Sequence, residues 1–336
     1  MTTDMPVRVG VIGAGLIGGS ICRSLRAANV ASVTVHSPSG STLSAVANDG
    51  FDVVDSIAAV VAESDVLFVC VPLTVQREVL ASVAEGVRES GNAGVIVTDV
   101  SSVKGEPARE SAELLSAAGA TFVPGHPMAG TEESGFGASS ADMFRDATWV
   151  LCPEYASAPE VLTVMRLVLA MQARVSLLDI DSHDRGVAAI SHLPYLLAAS
   201  LVNALPDGDA QTLAMRLAAG SFRDGSRVAS SEPWLSASMV NSNSANVQRN
   251  LETAIELLTQ MREALARGDD GAVLGFFERA RALKATHAAL RSSSETEHVS
   301  VATAEALSSL MASCRAGALI RSVSATDDQW NVVLER

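Results

Sequence analysis

The 336 residues are 48% apolar and 18% charged, a balance that excludes a disordered chain, and the length suits two domains with a core each. The formal net charge of −14, with no Lys/Arg run interleaved with aromatics, excludes nucleic acid as an expected partner. A small anionic ligand would need a local pocket of positive groups to overcome that field.

From Val7 to Ile180 short β-branched runs alternate with helical patterns, the pattern of a parallel sheet covered by helices. The expected strands are Val7 to Ile12, Ser32 to His36, Val66 to Val71, Gly94 to Asp99, Thr121 to Val123, Thr148 to Cys152 and Arg174 to Leu178. Their near-continuous apolar character fits a sheet buried on both faces. Val7 to Ile12 runs into Gly13-Ala14-Gly15-Leu16-Ile17-Gly18, a G-x-G-x-x-G between a strand and a helix. There the first glycine permits a tight turn, the second lets backbone approach a diphosphate, and the third lets helix and strand pack closely. The helix N-terminus then favours the negative charge, so a dinucleotide is the expected cofactor.

At the end of the second strand the chain reads His36-Ser37-Pro38-Ser39-Gly40-Ser41-Thr42, without the carboxylate that accepts from the ribose hydroxyls of NAD. A carboxylate would repel a 2′-phosphate, whereas hydroxyls and an imidazole can donate to it, so NADP is favoured over NAD. The expected cofactor contacts are Gly13, Gly15, Leu16, Ile17, Gly18, His36, Ser37 and Ser39, with Val71 and Pro72 where the third strand ends.

Two more segments follow strands: Asp99-Val100-Ser101-Ser102-Val103-Lys104, and Gly125-His126-Pro127-Met128-Ala129-Gly130-Thr131-Glu132. Both fall where open α/β sheets place ligands. His126 lies among glycines and a proline just past a buried strand, the expected setting of a rigid functional loop. His36, His183, His287 and His298 lack that setting and read as ordinary polar residues, His36 keeping its place beside the cofactor.

After about Asp181 strand signals give way to Ala/Leu/Met-rich helical patterns at roughly 184–204, 209–220, 244–267, 270–292 and 299–315. Pro206-Asp207-Gly208-Asp209 and Arg267-Gly268-Asp269-Asp270 supply turns and N-caps, and Ser292 to Ser294 reads as a loop, not an interdomain linker. The expected domains are 1–180, 181–316 and a tail at 317–336 too short for an appended regulatory domain. Helices so apolar bury more surface than one copy can enclose, so a homodimer through them is expected. Cys22, Cys70, Cys152 and Cys314 are far apart, with no C-x-x-C pair, and read as buried free thiols; no metal is expected. Residues 1–6 carry no signal-like pattern, and Gly, Arg or Asp interrupts the apolar runs, so no membrane is expected and a cytoplasmic location is.

Gly15 to Ser20, Asp99 to Lys104, Gly125 to Glu132, Ser191-His192-Leu193-Pro194, Gly220 to Arg227 and Asn243 stand in an order and spacing that resemble the prephenate/arogenate dehydrogenase family. The resemblance covers about 7–300. It implies an α/β N-terminal Rossmann-type, doubly wound domain and an all-α C-terminal dimerisation domain, with the active site between them. The implied reaction is oxidative decarboxylation of prephenate or arogenate with hydride transfer to NAD(P), on the way to tyrosine. The implied roles are proton acceptor for His126, a hydrogen bond to the substrate hydroxyl for Ser102, and carboxylate binding for Arg227. Glu132 belongs to the gating network, Ser191 to the site, and Asp224 to a position used across the dimer interface.

Tyr195 stands where many prephenate enzymes have a second histidine, and Trp234 lies two places early, with Ser236 in its slot. Losing a cation there favours arogenate, whose amino group carries its own charge. Two alternatives stay open: a dehydrogenase for 4-amino-4-deoxyprephenate, and a dinucleotide-binding sensor without turnover. A sensor has no need of Ser102, His126 and Arg227 together.

Overall fold

A computed structural model describes residues 7–131, 133–292 and 295–336. In chain order the first elements are β1 (Val7–Ile12), α1 (Leu16–Ala28), β2 (Ala31–His36), α2 (Gly40–Asn48), β3 (Asp52–Val53), α3 (Ile57–Ala62) and β4 (Val66–Val69). They continue with α4 (Leu73–Ser90), β5 (Ile96–Asp99), α5 (Gly105–Ser116), β6 (Thr121–Val123), β7 (Gly125–Pro127), β8 (Thr148–Leu151), α6 (Ala158–Ala170) and β9 (Arg174–Leu177). Helices follow: α7 (Ile180–Val187), α8 (Leu193–Asn203), α9 (Asp209–Leu217), α10 (Gly220–Ser226), α11 (Pro233–Ser242), α12 (Ser244–Arg267) and α13 (Asp270–Ser292). The last elements are β10 (Thr296–Ala302), α14 (Ala306–Arg315), β11 (Leu319–Ala325) and β12 (Gln329–Glu335).

All seven expected strands form, but in two sheets. The first is parallel throughout, in the order β3-β2-β1-β4-β5-β6. The chain works outward from β1 through β2 to β3, then returns to pair β4 on the other side of β1. That reversal creates a switch point between β1 and β4, where ligands of open α/β sheets bind. Side chains alternate between two cores: Val9, Val11, Val66 and Phe68 enter one, and Ile12, Leu67 and Val69 the other. Burial on both faces explains why the strands read as unbroken apolar runs.

The second sheet runs β10-β12-β11-β9-β8-β7. Only β8 and β9 pair in parallel; the remaining pairs are antiparallel. Trp149, Leu151, Val175, Leu177, Trp330, Val332 and Leu334 join the cluster that also holds Val9 and Val11, so both sheets share one core.

Three expectations of the sequence are corrected here. The 299–315 helix is β10 followed by α14, and the 317–336 tail is the hairpin β11–β12, built into the second sheet. The helical region does not run to 316. The chain divides into a first unit of Met1–His183 with Ser294–Arg336 and a second of Asp184–Ser293; of the expected loop at Ser292 to Ser294, Ser292 ends α13 and the other two lie outside the described residues.

The second unit holds α8–α13, and α12 and α13 keep their expected bounds. Asp269 caps α13, its carboxylate accepting from the Ala272 N–H at 2.9 Å. Between α7 and α8 the helix opens into a π turn, Ala188–His192, immediately before Pro194. Proline has no N–H to donate to Ile190, and a local widening absorbs the loss. Contrary to the expectation from interrupted runs, the continuous helix Ile180–Asn203 is long and apolar enough to cross a membrane. A core helix of a helical bundle meets the same criteria.

All four cysteines are free, as expected, and burial pushes the Cys22 thiol up to about 12 and Cys70 well above its ordinary value. Among the described residues no group of three His, Cys, Asp or Glu is placed to hold a metal ion.

Trp330 is 1% exposed, so Trp330→Ala should cost about 3–5 kcal/mol of the stability of the first unit. Urea unfolding followed by far-UV circular dichroism checks this; a loss below 1 kcal/mol would mean that the terminal hairpin packs loosely.

Candidate active site

The carboxyl ends of the parallel strands carry the predicted cofactor residues. Gly13 ends β1 with φ +92°, a conformation that only glycine adopts without strain, and its N–H donates to the His36 carbonyl at 2.9 Å. A Cβ on Gly13 would lie 2.5 Å from the Cys70 carbonyl oxygen at the end of β4, and one on Gly18 would lie 1.9 Å from the Gly13 carbonyl oxygen. Gly15, the N-cap of α1, differs: a Cβ there would meet nothing. The protein itself does not require glycine at that point, and the open space lies over a helix N-terminus whose first turn has neither a side-chain cap nor an acidic residue. Leu16 and Ile17 form that turn. These residues fit a dinucleotide diphosphate.

Around the second strand the side chains are more committed than the sequence implies. His36 Nδ1 lies 3.1 Å from the Val54 carbonyl oxygen. A carbonyl only accepts, so the proton sits on Nδ1 and the neutral ring presents Nε2 as an acceptor. Ser39 caps α2, accepting from the Thr42 N–H at 3.3 Å, and its oxygen is 3.0 Å from the Ser41 hydroxyl. Ser37 is buried. Val71 and Pro72 follow β4, Pro72 standing at the N-cap of α4.

Beyond β5 the segment 99–104 turns inward. Lys104, 1% exposed, places its ammonium 2.7 Å from each oxygen of the equally buried Asp99 carboxylate. Asp99 also accepts from Gln76 Nε2 at 3.1 Å, from the Ser101 N–H at 3.2 Å, from the Ser101 hydroxyl, and from the Gly125 N–H at 3.1 Å. One carboxylate therefore ties α4, the 101–104 turn and the start of β7. Ser102 sits in that turn, half-buried, while its neighbours on both sides are buried.

His126 is on a strand rather than in the expected loop. Pro124 ends the first sheet, and β7 pairs antiparallel with β8, His126 opposite Val150. Gly125 brings the backbone so close to β5 that an added Cβ would be 2.9 Å from the Asp99 carbonyl oxygen. The half-buried His126 ring has Nδ1 2.9 Å from Nε2 of His183, the rings meeting edge-on at 76°. His183, in the first turn of α7, is 2% exposed. Nothing near it in the chain resembles a site, so the sequence reading passed it over as an ordinary polar residue; its place just after β9, at a strand's carboxyl end, was the available signal.

In the second unit Ser191 lies in the π turn, its hydroxyl 4.0 Å from Met239 Sδ, and half-buried Tyr195 follows one residue after Pro194. The buried Asn243 amide donates to the Asp184 carbonyl at 2.7 Å and lies 3.3 Å from His192 Nδ1, which fixes this turn against α11 and α12. Asp224, in α10, is exposed beside Arg223, and Arg227 follows α10 directly, also on the surface of this unit. Glu132 lies outside the described residues.

Two family profiles match this chain in tandem: "Prephenate dehydrogenase, nucleotide-binding domain" over residues 21–177 and "Prephenate dehydrogenase, dimerization domain" over 179–279. The chain belongs to the prephenate dehydrogenase family. Cyclohexadienyl dehydrogenase of Zymomonas mobilis is 31% identical over 290 residues, covering 83% of this chain and 97% of that protein. Prephenate dehydrogenase of Lactococcus lactis is 29% identical, covering 82% and 75%. Among solved structures, Synechocystis arogenate dehydrogenase superimposes with a TM-score of 0.73 at 27% identity, covering 83% of this chain and 99% of that one. The first profile makes the first unit the nucleotide-binding part of the chain, and the parallel sheet with its helical companion is the fold of these dehydrogenases.

Lys104→Met, which leaves Asp99 buried without its cation, should destabilise the protein by about 3–5 kcal/mol. Chemical denaturation of the variant measures this, and a loss under 1 kcal/mol would remove the pair from its structural role.

Proposed function

We propose that this dehydrogenase oxidises and decarboxylates arogenate in preference to prephenate, with NADP preferred to NAD and His126 as the proton acceptor. The observation that carries the mechanism is the engagement of His126 Nδ1 by His183 at 2.9 Å, which orients the ring and assigns the meeting with substrate to Nε2. Either substrate bears a hydroxyl on a cyclohexadiene ring and a carboxylate on the opposite ring carbon. A nicotinamide dinucleotide held at the Gly13–Gly18 turn would supply the acceptor for the hydride of the carbinol carbon. Loss of carbon dioxide makes the ring aromatic, which supplies the driving force, so the protein has mainly to align the ring and take the hydroxyl proton. Neutral His126 accepts that proton, and the Ser102 hydroxyl holds the same oxygen.

Arg227 is the proposed grip on a substrate carboxylate, its planar fork supplying the local cation that a chain of net charge −14 requires. Ser191 and Tyr195 are assigned to the substrate side chain, and Asp224 and Glu132 to the polar network around it. Tyr195 and Ser236 bring no positive charge, which supports arogenate with its own ammonium. The absence of a carboxylate from 36–42, and an α2 first turn free of acidic residues, support NADP. His36 donates to a 2′-phosphate only when protonated, since Nδ1 is already committed to Val54.

A homodimer is proposed through the second unit. Leu213, Leu217, Phe277 and Leu283 are 59%, 73%, 62% and 72% exposed on a single copy, a display of large apolar side chains that calls for a covering surface. The match to a dimerization domain supports the same reading.

The deciding experiment is a four-way assay of prephenate and arogenate with NAD and NADP. The highest kcat/KM is expected for arogenate with NADP, and a prephenate–NAD optimum would reverse both preferences. Reduction with neither substrate, despite dinucleotide binding, would favour the sensor. Within the active pair, His126→Asn should lower kcat about 100- to 10,000-fold with little change in KM, whereas Arg227→Ala should act chiefly on KM. Near-normal turnover of the His126 variant would remove it from the chemistry.

A further inference from the structure

Two imidazoles 2.9 Å apart share one proton position, and the choice between its two arrangements decides whether His126 can work. If His183 Nε2 carries the hydrogen and donates to His126 Nδ1, neutral His126 holds its own proton on Nε2 and has no lone pair for a substrate there. If His126 Nδ1 carries the hydrogen and donates to His183 Nε2, the lone pair of His126 Nε2 is ready to accept. We propose that His183 is the positioning residue that holds His126 in this second, reactive tautomer and shares the proton once His126 becomes an imidazolium.

This inference rests on the assignment of His126 as proton acceptor. The balance is simple. The substrate hydroxyl proton passes to His126 Nε2, the hydride of the carbinol carbon would go to the oxidised nicotinamide, the carboxylate departs as carbon dioxide leaving its bonding pair to the ring, and the histidine pair gains one positive charge. That charge is spread along the Nδ1–H···Nε2 bond until the proton returns to the oxygen of the aromatised product, which leaves as a phenol.

The surroundings support the arrangement. His183 is 2% exposed, so water does not compete at its Nε2. It lies near the start of α7. Its backbone is fixed there: the His183 N–H donates to the Asp179 carbonyl at 3.0 Å, and the Asp179 side chain caps the turn through the Ser182 N–H and hydroxyl, both at 2.8 Å. His126 is held as firmly by β7. Two rings on separately anchored elements keep one geometry without rearrangement at the moment of reaction.

The test compares His183→Leu, His183→Asn and His183→Gln in the intact enzyme with its best substrate and cofactor. A glutamine carbonyl reaches about as far as His Nε2 and accepts from Nδ1–H; asparagine is one methylene too short; leucine cannot accept. Leucine and asparagine should lower kcat about 10- to 100-fold with KM changed less than threefold, the usual cost of losing the partner that orients a reactive imidazole, while glutamine restores kcat to within about fivefold of the wild type. Combined with His126→Asn, each should add less than twofold, because two groups acting as a unit are not additive. Equal kcat for the glutamine and asparagine enzymes, or losses that multiply with His126→Asn, would overturn the proposal, and that comparison stands even if the leucine enzyme does not fold. Normal turnover of His126→Asn alone would instead sink the assignment of His126, so the two failures are distinguishable.

Discussion

The buried pair Asp99–Lys104 is the constraint on which the first unit's site depends. Removing two charges from water costs several kcal/mol each, and the attraction between them offsets this only with good geometry and with the remaining lone pairs filled. Here both conditions hold: the ammonium meets both carboxylate oxygens, and a side-chain amide, a hydroxyl and two backbone N–H groups complete the shell. Each of those donors belongs to a piece of the site. The Ser101 contacts shape the turn that presents Ser102, and the Gly125 N–H sets where β7, and so His126, begins. A hydrophobic replacement of similar volume would fill the space without fixing either segment.

The same segment shows how position and chemistry divide along a short stretch. Asp99, Ser101 and Lys104 point inward and serve the scaffold, leaving Ser102 as the member with access to a ligand. A motif spelled by six consecutive residues thus holds three that build the scaffold and one, Ser102, proposed for the chemistry. Gly125 and His126 repeat the pattern, the glycine allowing close backbone approach and the histidine being the proposed proton acceptor.

Strands buried on both faces were legible because their apolar runs are unbroken, and the glycine turn because its spacing carries a mechanism. The two long helices α12 and α13 kept their bounds because Gly268 and the Asp269 cap punctuate them. β7 was hidden: Gly-His-Pro has no strand propensity and is extended only because Val123 and Pro124 deliver it beside β8. The terminal strands were hidden differently. Trp330, Val332 and Leu334 do alternate, but an alternating hairpin needs a sheet to join, and its partner β9 lies far upstream. His183 was unreadable for a related reason, since its value comes from a ring 57 positions away in the chain.

The pairing of Ile320 with Val175 also sets an order of events during synthesis. One edge of β9 stays bare until the whole helical unit and α14 have left the ribosome, and a bare edge is a template for any other extended chain. The late hairpin thus acts as a closing seam: until it arrives, the second sheet consists of β7, β8 and β9 alone, and β10 has no strand to pair with.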